Sequence, residues 1–337
     1  MIRAVLGAAL ALTLGQATSA QAQDAQAVIR IVDVGPGLCV VASFPDGYDL
    51  VYDAGHWNGS GCRDAVRDLV LDDRIELVIL SHTDADHLGE LPEILGDKRV
   101  GVMLHTGGTR TTATWRDAVA AMGSEVADGA TILSLSTWPL APGTEFNLGD
   151  ATVTFVFGAS TWDRTLSEER LSASEQYNAV SITVRVSYGG QSILLTGDTI
   201  GRRLDDDDTA CKDAEAFMVR NQANVPLRSD VLVAAHHGGN NGSATCFLEA
   251  VDPTWVIFSA GHDHHHPREE TAARVLASGV ARDRILRTDR GDDEGGREWS
   301  HQRQFGCRDP RRDDDIEIRI RPGEALEVGY VTTNEGC

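Results

Sequence analysis

Ser81-His82-Thr83-Asp84-Ala85-Asp86-His87 is preceded by the apolar run Leu77-Val78-Ile79-Leu80 and followed by Leu88-Gly89-Glu90-Leu91. The apolar run has the length and composition of a buried strand, and the residues after the cluster have the start of a helical pattern. His82, Asp84, Asp86 and His87 therefore sit on a loop at a strand end, where scaffolded sites usually lie. A strand turns successive side chains to opposite faces, so it cannot aim all four at one point, whereas a tight loop can. Imidazole and carboxylate together suit zinc, iron or manganese, and two such ligand sets in one loop suit a pair of metal ions.

Other chemistry-bearing residues also follow predicted strands. Residues 28–34, 38–44 and 48–52 form a strand, turn, strand, turn, strand series that ends at Asp53. Residues 181–187 and 192–196 flank Tyr188-Gly189-Gly190 as a hairpin, and Gly197-Asp198 follows it. Residues 231–235 lead into His236-His237-Gly238-Gly239, and residues 255–259 lead towards His265-His266-Pro267. Asp53, the 82–87 loop, Asp198, His236 and His266 thus fall at one predicted rim of a sheet structure. Helical spacing is expected over 63–71, 115–122 and 268–277, with Pro267 suited to the first turn of the last. Near the end, Ile316, Ile318 and Ile320 alternate with charged residues, Pro322-Gly323 turns the chain, and Leu326, Val328 and Tyr330 alternate back. This is a hairpin with one apolar face, expected to pack on the main body.

The 337 residues suffice for one large domain or two small ones. Residues 1–22 have the form of a secretory signal: Arg3, an apolar run over 4–14 and Ala20-Gln21-Ala22 as a small-x-small cleavage site. The expected organisation is signal peptide 1–22, a main domain over 23–290 and C-terminal extension 291–337. No later stretch is long and apolar enough to span a bilayer, so a periplasmic or secreted protein is expected. The six cysteines, an even number, agree with disulfides in an exported chain. Pairing of neighbours is favoured, Cys39 with Cys62, Cys211 with Cys246 and Cys307 with Cys337, although the spacing alone leaves the connectivity open. The formal charge is −21, and about −22 without the signal's Arg3. That excludes broad non-specific nucleic-acid binding, which needs clustered positive charge, but not a nucleic-acid substrate at a metal site. The acidic runs at 205–208, 292–294 and 313–315 are expected to be solvated loops.

His82-x-Asp84-x-Asp86-His87 resembles the metal loop of the metallo-β-lactamase fold, with Asp84 where a second histidine is usual. Asp53, Gly197-Asp198 and His236 match its other landmarks in order. The chain is most similar to the hydrolase domain of ComEC-type competence proteins and their stand-alone relatives. Asp33-Val34-Gly35-Pro36-Gly37, Asn178-Ala179-Val180-Ser181, Leu194-Leu195-Thr196-Gly197-Asp198, His236-His237-Gly238 and His265-His266-Pro267 carry that similarity, over about residues 28–275. Leu38 and Gly239 depart from the family pattern, and the membrane channel of the competence proteins has no counterpart, so only the hydrolase chemistry carries over.

The resemblance implies an αββα four-layer sandwich of the α/β class and two divalent metal ions, zinc or manganese. One ion would take His82, Asp84 and a bridging Asp198; the other would take Asp86, His87, Asp198 and His236. A metal-bridging hydroxide would be the nucleophile. Asp53 would support a ligand from behind, His266 would contact the substrate or protonate a leaving group, and Asn178 would lie near the substrate. His237 is left open between ligand, substrate contact and structural residue. The implied activity is hydrolysis of a small-molecule or nucleic-acid phosphodiester. The alternatives are a lactone, thioester or lactam hydrolase, or a non-catalytic metal-binding relative. No protein partner is indicated.

Overall fold

A computed structural model describes residues 25–163, 171–207, 209–261, 264–288, 290, 297–299 and 313–332. The expected signal peptide, the acidic run 292–294 and the Cys307–Cys337 pair lie outside the described residues. Two sheets carry the fold. The first takes β1 (Ala27–Ile31), β2 (Val40–Ser43), β3 (Asp49–Tyr52), β4 (Arg74–Leu80), β5 (Arg99–His105) and β6 (Thr131–Ser134). The second takes β7 (Glu145–Leu148), β8 (Ala151–Phe157), β9 (Thr183–Tyr188), β10 (Gln191–Leu195), β11 (Val231–Val233), β12 (Trp255–Phe258) and β13 (Ile285–Arg287). The expected C-terminal hairpin, β14 (Ile316–Ile320) and β15 (Glu327–Tyr330), joins the first sheet, whose order is β15-β14-β1-β2-β3-β4-β5-β6. β14 runs antiparallel to β1, with Ala27 opposite Ile320 and Ile31 opposite Ile316.

Alternation decides which face each residue serves. In β4, Leu77 and Ile79 enter the core between the sheets, while Val78 and Leu80 enter the core under the helices. That outer layer on the first sheet is built by α1 (Gly61–Leu69), α2 (Leu91–Asp97) and α3 (Ala113–Ala127). On the second sheet it is built by α5 (Asp213–Asn221), α6 (Thr245–Val251) and α7 (Glu269–Ala277), with α4 (Ala173–Asn178) lying apart from that core. The layers are therefore helix, sheet, sheet, helix, the αββα sandwich that was expected. Helices α4, α5 and α6 and the short strands β6 and β7 add to the anticipated elements. Each of the five is nine residues or fewer.

Two disulfides join Cys39 to Cys62 and Cys211 to Cys246, as the neighbour pairing anticipated. The first ties β2 to α1. The run 313–315 is not a solvated loop. Asp314 is buried and accepts from the backbone N–H and guanidinium of Arg290, at 2.7 and 2.6 Å. Asp315 accepts from the Asp33 amide at 2.7 Å. Charge composition alone misses this, because a buried acid differs from a solvated one only in its partners.

Strands β3, β4, β5 and β6 are parallel neighbours, and so are β10, β11, β12 and β13. Their carboxyl ends open on a common rim, the usual location of sites in α/β sheets. The Ile182 amide donates to the Ser81 carbonyl at 2.8 Å, and the Tyr52 hydroxyl donates to the Ile182 carbonyl at 2.6 Å. These bonds lock the two sheets together beside the rim.

Candidate metal centre

The 81–87 loop leaves β4 extended and closes into a single 3-10 turn over Ala85–His87. It is clamped by the first hairpin: the Leu38 amide donates to the Asp86 carbonyl at 3.2 Å, and the Ala54 amide to the His87 carbonyl at 2.7 Å. Gly37 makes the clamp possible, since a Cβ there would lie 2.6 Å from the Asp86 oxygen. Gly197 serves the other sheet. Its φ is +53°, and a Cβ would fall 2.7 Å from that of Ser81, so only glycine lets the end of β10 approach β4. Asp198 is delivered by that approach.

Asp53 organises the loop from beneath. It is fully buried, at a left-handed φ of 59°. Its Oδ1 accepts the Ser81 amide at 2.6 Å, and its Oδ2 accepts the Ser81 hydroxyl at 2.7 Å and His87 Nδ1 at 2.8 Å. Ser81 Oγ in turn accepts from His82 Nδ1 at 3.0 Å. This network places a proton on Nδ1 of both histidines and turns both Nε2 atoms outward.

Those two atoms converge on Asp198. His87 Nε2 lies 3.2 Å from Asp198 Oδ1, and His82 Nε2 lies 3.9 Å from Oδ2. Asp84 Oδ2 is 3.8 Å from His82 Nε2, and Asp86 Oδ2 is 3.8 Å from His87 Nε2. His237 Nε2 lies 3.5 Å from both Asp86 Oδ2 and Asp198 Oδ1, and 3.3 Å from His87 Nε2. Two groups of ligand type result: His82, His87 and Asp198; and Asp86, His87 and His237. In each, the ligand atoms lie within 4.8 Å of one another.

His236 and His237 both take left-handed backbone, at φ 52° and 55°, which sends their rings in different directions. His237 fixes Nδ1 on the Ser259 carbonyl at 2.8 Å and points Nε2 inward. His236 fixes Nδ1 on Asn241 Oδ1 at 2.7 Å, and its Nε2 meets Asn178 Nδ2 at 3.2 Å and Asp198 Oδ2 at 3.7 Å. Asn178, the last residue of α4, thereby touches the site from a helix. The His266 ring lies parallel to that of His237, with centroids 6.1 Å apart. A cleft of about 390 Å³ is lined by Asp84, Asp86, Asn178, Asp198, His236, His237 and His266.

The charges explain the titration. Burial opposes protonation of His87, but Asp198, Asp53 and Asp86 outweigh it and raise the imidazole well above its ordinary value. His237 is raised against the same burial by Asp198 and by its bond to Asp86. His82 is lowered, by burial and then by His87. Burial pushes Asp198 up, yet His87, His237 and His236 hold it well below the usual carboxylate range.

These groups fit divalent cations by the chemistry of the donors and by what they lack. His82 Nε2 and Asp198 Oδ1 are buried without a hydrogen-bond partner. Buried polar atoms are normally paired, so orphans aimed into one space call for a ligand. Arg110 is the residue that motif spacing overlooks. Arriving from the loop after β5, it donates to Asp84 Oδ1 and lies over the Tyr177 ring, 3.3 Å from its centroid. The Gly107-Gly108 pair just before it is the only local sign of a tight turn there.

Comparison with known proteins finds relatives and a family model. The chain is 28% identical over 281 residues to "Competence protein ComA" of Neisseria gonorrhoeae, covering 78% of this chain and 31% of that protein. It is 24% identical over 218 residues to "ComE operon protein 3" of Bacillus subtilis (strain 168), covering 64% and 24%. It thus spans less than a third of the length of either relative. The crystal structure of Zn(2+)-bound PqqB from Methylobacterium extorquens superposes with a TM-score of 0.46 at 13% identity, covering 78% of this chain and 97% of that one. The model of the metallo-beta-lactamase superfamily matches residues 32–262, the span from the end of β1 to the loop after β12 that supplies every strand exit of the centre except His266. The chain is a member of the metallo-beta-lactamase superfamily, whose members are in general metal-dependent hydrolases.

Proposed function

We propose that the protein is an exported binuclear-metal hydrolase of phosphodiesters. The observation that carries this is the place of Asp198 between two donor groups that share His87: its Oδ2 lies 3.9 Å from His82 Nε2 and its Oδ1 3.5 Å from His237 Nε2, with His82 Nε2 and Asp198 Oδ1 left unpaired. His82, Asp84 and Asp198 Oδ2 would hold one ion. Asp86, His87, His237 and Asp198 Oδ1 would hold the other, with His237 in the position that motif order alone gave to His236. Zinc or manganese suits this mixture of imidazole and carboxylate. A pair of divalent cations would supply the positive charge that an anionic phosphodiester needs and would acidify water at neutral pH.

The chain's own residues do the rest. Asp53 and Ser81 hold Nδ1 of both loop histidines, so each ring presents Nε2 towards Asp198. Arg110 orients Asp84 by taking its outer oxygen, and brings a guanidinium, a good phosphate partner, to the edge of the cleft. Asn178, His236 and His266 line the face on which a substrate would lie. The two disulfides support export, since such bonds persist in oxidising compartments.

The test is hydrolysis of bis(p-nitrophenyl) phosphate by metal-stripped protein reconstituted with manganese or zinc, with Asp86→Asn alongside. Metal-dependent turnover lost in the variant is expected. Tight metal binding with turnover of a lactone or thioester and none of the diester would overturn the assignment.

A further inference from the structure

Beside the metal cleft lies a second cavity of quite different chemistry. Its volume is about 350 Å³, near the lower end of the range for small-molecule sites. It opens between the exits of β4 and β5 on one side and α4 on the other, and His82 lines it. In a chain of net charge −21, none of its lining residues among the described residues is Asp, Glu, Lys or Arg. Trp162 and Tyr177 give it aromatic walls. Thr83 lines it too, 2% exposed, and its Oγ1 is a buried polar atom with no hydrogen-bond partner. Arg110 stands at the seam, its guanidinium on the Tyr177 ring and its N–H on Asp84.

A partly aromatic cavity whose described lining carries no acid, lysine or arginine, with an unpaired hydroxyl, selects a neutral planar group that offers hydrogen-bonding atoms at its edge. Aromatic walls favour a π face over an aliphatic chain, as bases stack on such side chains in single-strand-binding sites. The orphaned Thr83 hydroxyl costs free energy until a ligand N–H or carbonyl meets it. The group must also be attached to an anion, because the cavity adjoins Arg110 and the cleft that would hold the cations. The strongly acidic surface disfavours a long polyanion, which gains affinity by meeting clustered positive charge.

We propose that this cavity takes the nucleobase of a short nucleotide phosphodiester, with the phosphate beside Arg110; this rests on the phosphodiesterase assignment for its second half and on the cavity alone for its first. Gly108 supplies a clean way to close it. A Cβ built there comes 3.4 Å from Thr83 Cγ2 and 3.4 Å from Thr106 Oγ1, so a larger side chain grows towards Thr83.

The experiment is saturation-transfer NMR on the whole chain with the four deoxynucleosides, which carry a base and no phosphate, and with methyl phosphate as the base-free control. At least one nucleoside is expected to bind at about 1 mM or tighter, and to lose about tenfold in affinity in Gly108→Leu and in Thr83→Val. Thr83→Val is nearly isosteric and covers the case in which the leucine perturbs folding. No nucleoside binding to the wild-type chain, or binding unchanged in a folded Thr83→Val, overturns the proposal. Nucleoside binding without hydrolysis of any diester would leave the cavity assignment standing and remove the phosphodiesterase. Hydrolysis without nucleoside binding would do the reverse.

Discussion

Two buried charged networks meet at the segment 236–244, and they are finished differently. On one side, Glu215 is fully buried and accepts the Ser243 and Ala244 amides at 2.7 Å each. Arg274 beside it donates to the carbonyls of Asn240, Gly242 and Ser243 and to the Asn240 side chain. Each charged atom of that pair of residues has a protein partner. On the other side, Asp53 and Ser81 satisfy the inner nitrogens of His82 and His87, while His82 Nε2 and Asp198 Oδ1 are left without a bond. Burial is equal in the two networks, so burial does not mark function. The pairing of the charged atoms differs: those of Glu215 and Arg274 close on protein partners, while His82 Nε2 and Asp198 Oδ1 face a common space.

The sharpest way to break this contrast is Asp198→Asn. Removing the shared charge should lower metal content from about two ions per chain to one or none, and phosphodiester kcat/KM on the order of 10³-fold. Elemental analysis with steady-state kinetics reads both. Full metal content with full turnover would erase the distinction between the networks.

Asp53→Asn probes the support rather than the ligands. The amide cannot accept all three donors that the carboxylate holds, so metal affinity should fall ten- to a hundredfold, measured by calorimetry on stripped protein. An unchanged affinity would show that the loop histidines orient themselves.

The closed network should respond in stability instead. Glu215→Ala strands two amides and is expected to cost about 1–3 kcal/mol in urea unfolding, with the metal content of the folded protein unchanged. A loss of metal with no loss of stability would reverse the two roles.

The smallest expected effect is a pH dependence. Burial pushes Glu215 up to about 7, against the opposing pull of the Ala244 and Ser243 amides, from an ordinary value of 4.5. Between those values the folded chain keeps a proton that the unfolded chain has lost. The stability this group contributes is therefore fully present below about 4.5 and is lost as pH rises through about 7. Glu215→Gln cannot titrate, so wild-type stability measured relative to this variant should decline by about 1–3 kcal/mol across that window. A difference that grows with pH would mean that the two amides hold the ionised form.

Much of the candidate centre was legible before the fold was known because most of its candidate ligands are local. His82, Asp84, Asp86 and His87 lie within six positions at one strand exit, and Asp53 and Asp198 each follow a short apolar run. Strand periodicity and strand ends are properties of neighbouring residues, so they survive in the bare chain. The two inner disulfides were favoured as neighbours for the same reason, though only the packing of β2 on α1 brings Cys39 and Cys62 to a Cα separation of 5.8 Å.

Other features depended on contacts that no local pattern encodes. His236 and His237 are adjacent and chemically identical, and two successive left-handed residues decide which ring turns towards Asp86. Arg110 reaches Asp84 from another strand exit, and the burial of Asp314 depends on Asp33 and Arg290, far away in the chain. The amino-acid sequence by itself determined the strand exits, the rim and the local cluster of candidate ligands, because hydrophobic alternation and short-range spacing are enough for those, and the four-layer sandwich followed from the family resemblance. The tertiary structure alone decided which atoms are paired and which are left facing a shared space, because that depends on distances between segments that meet only when both sheets are packed.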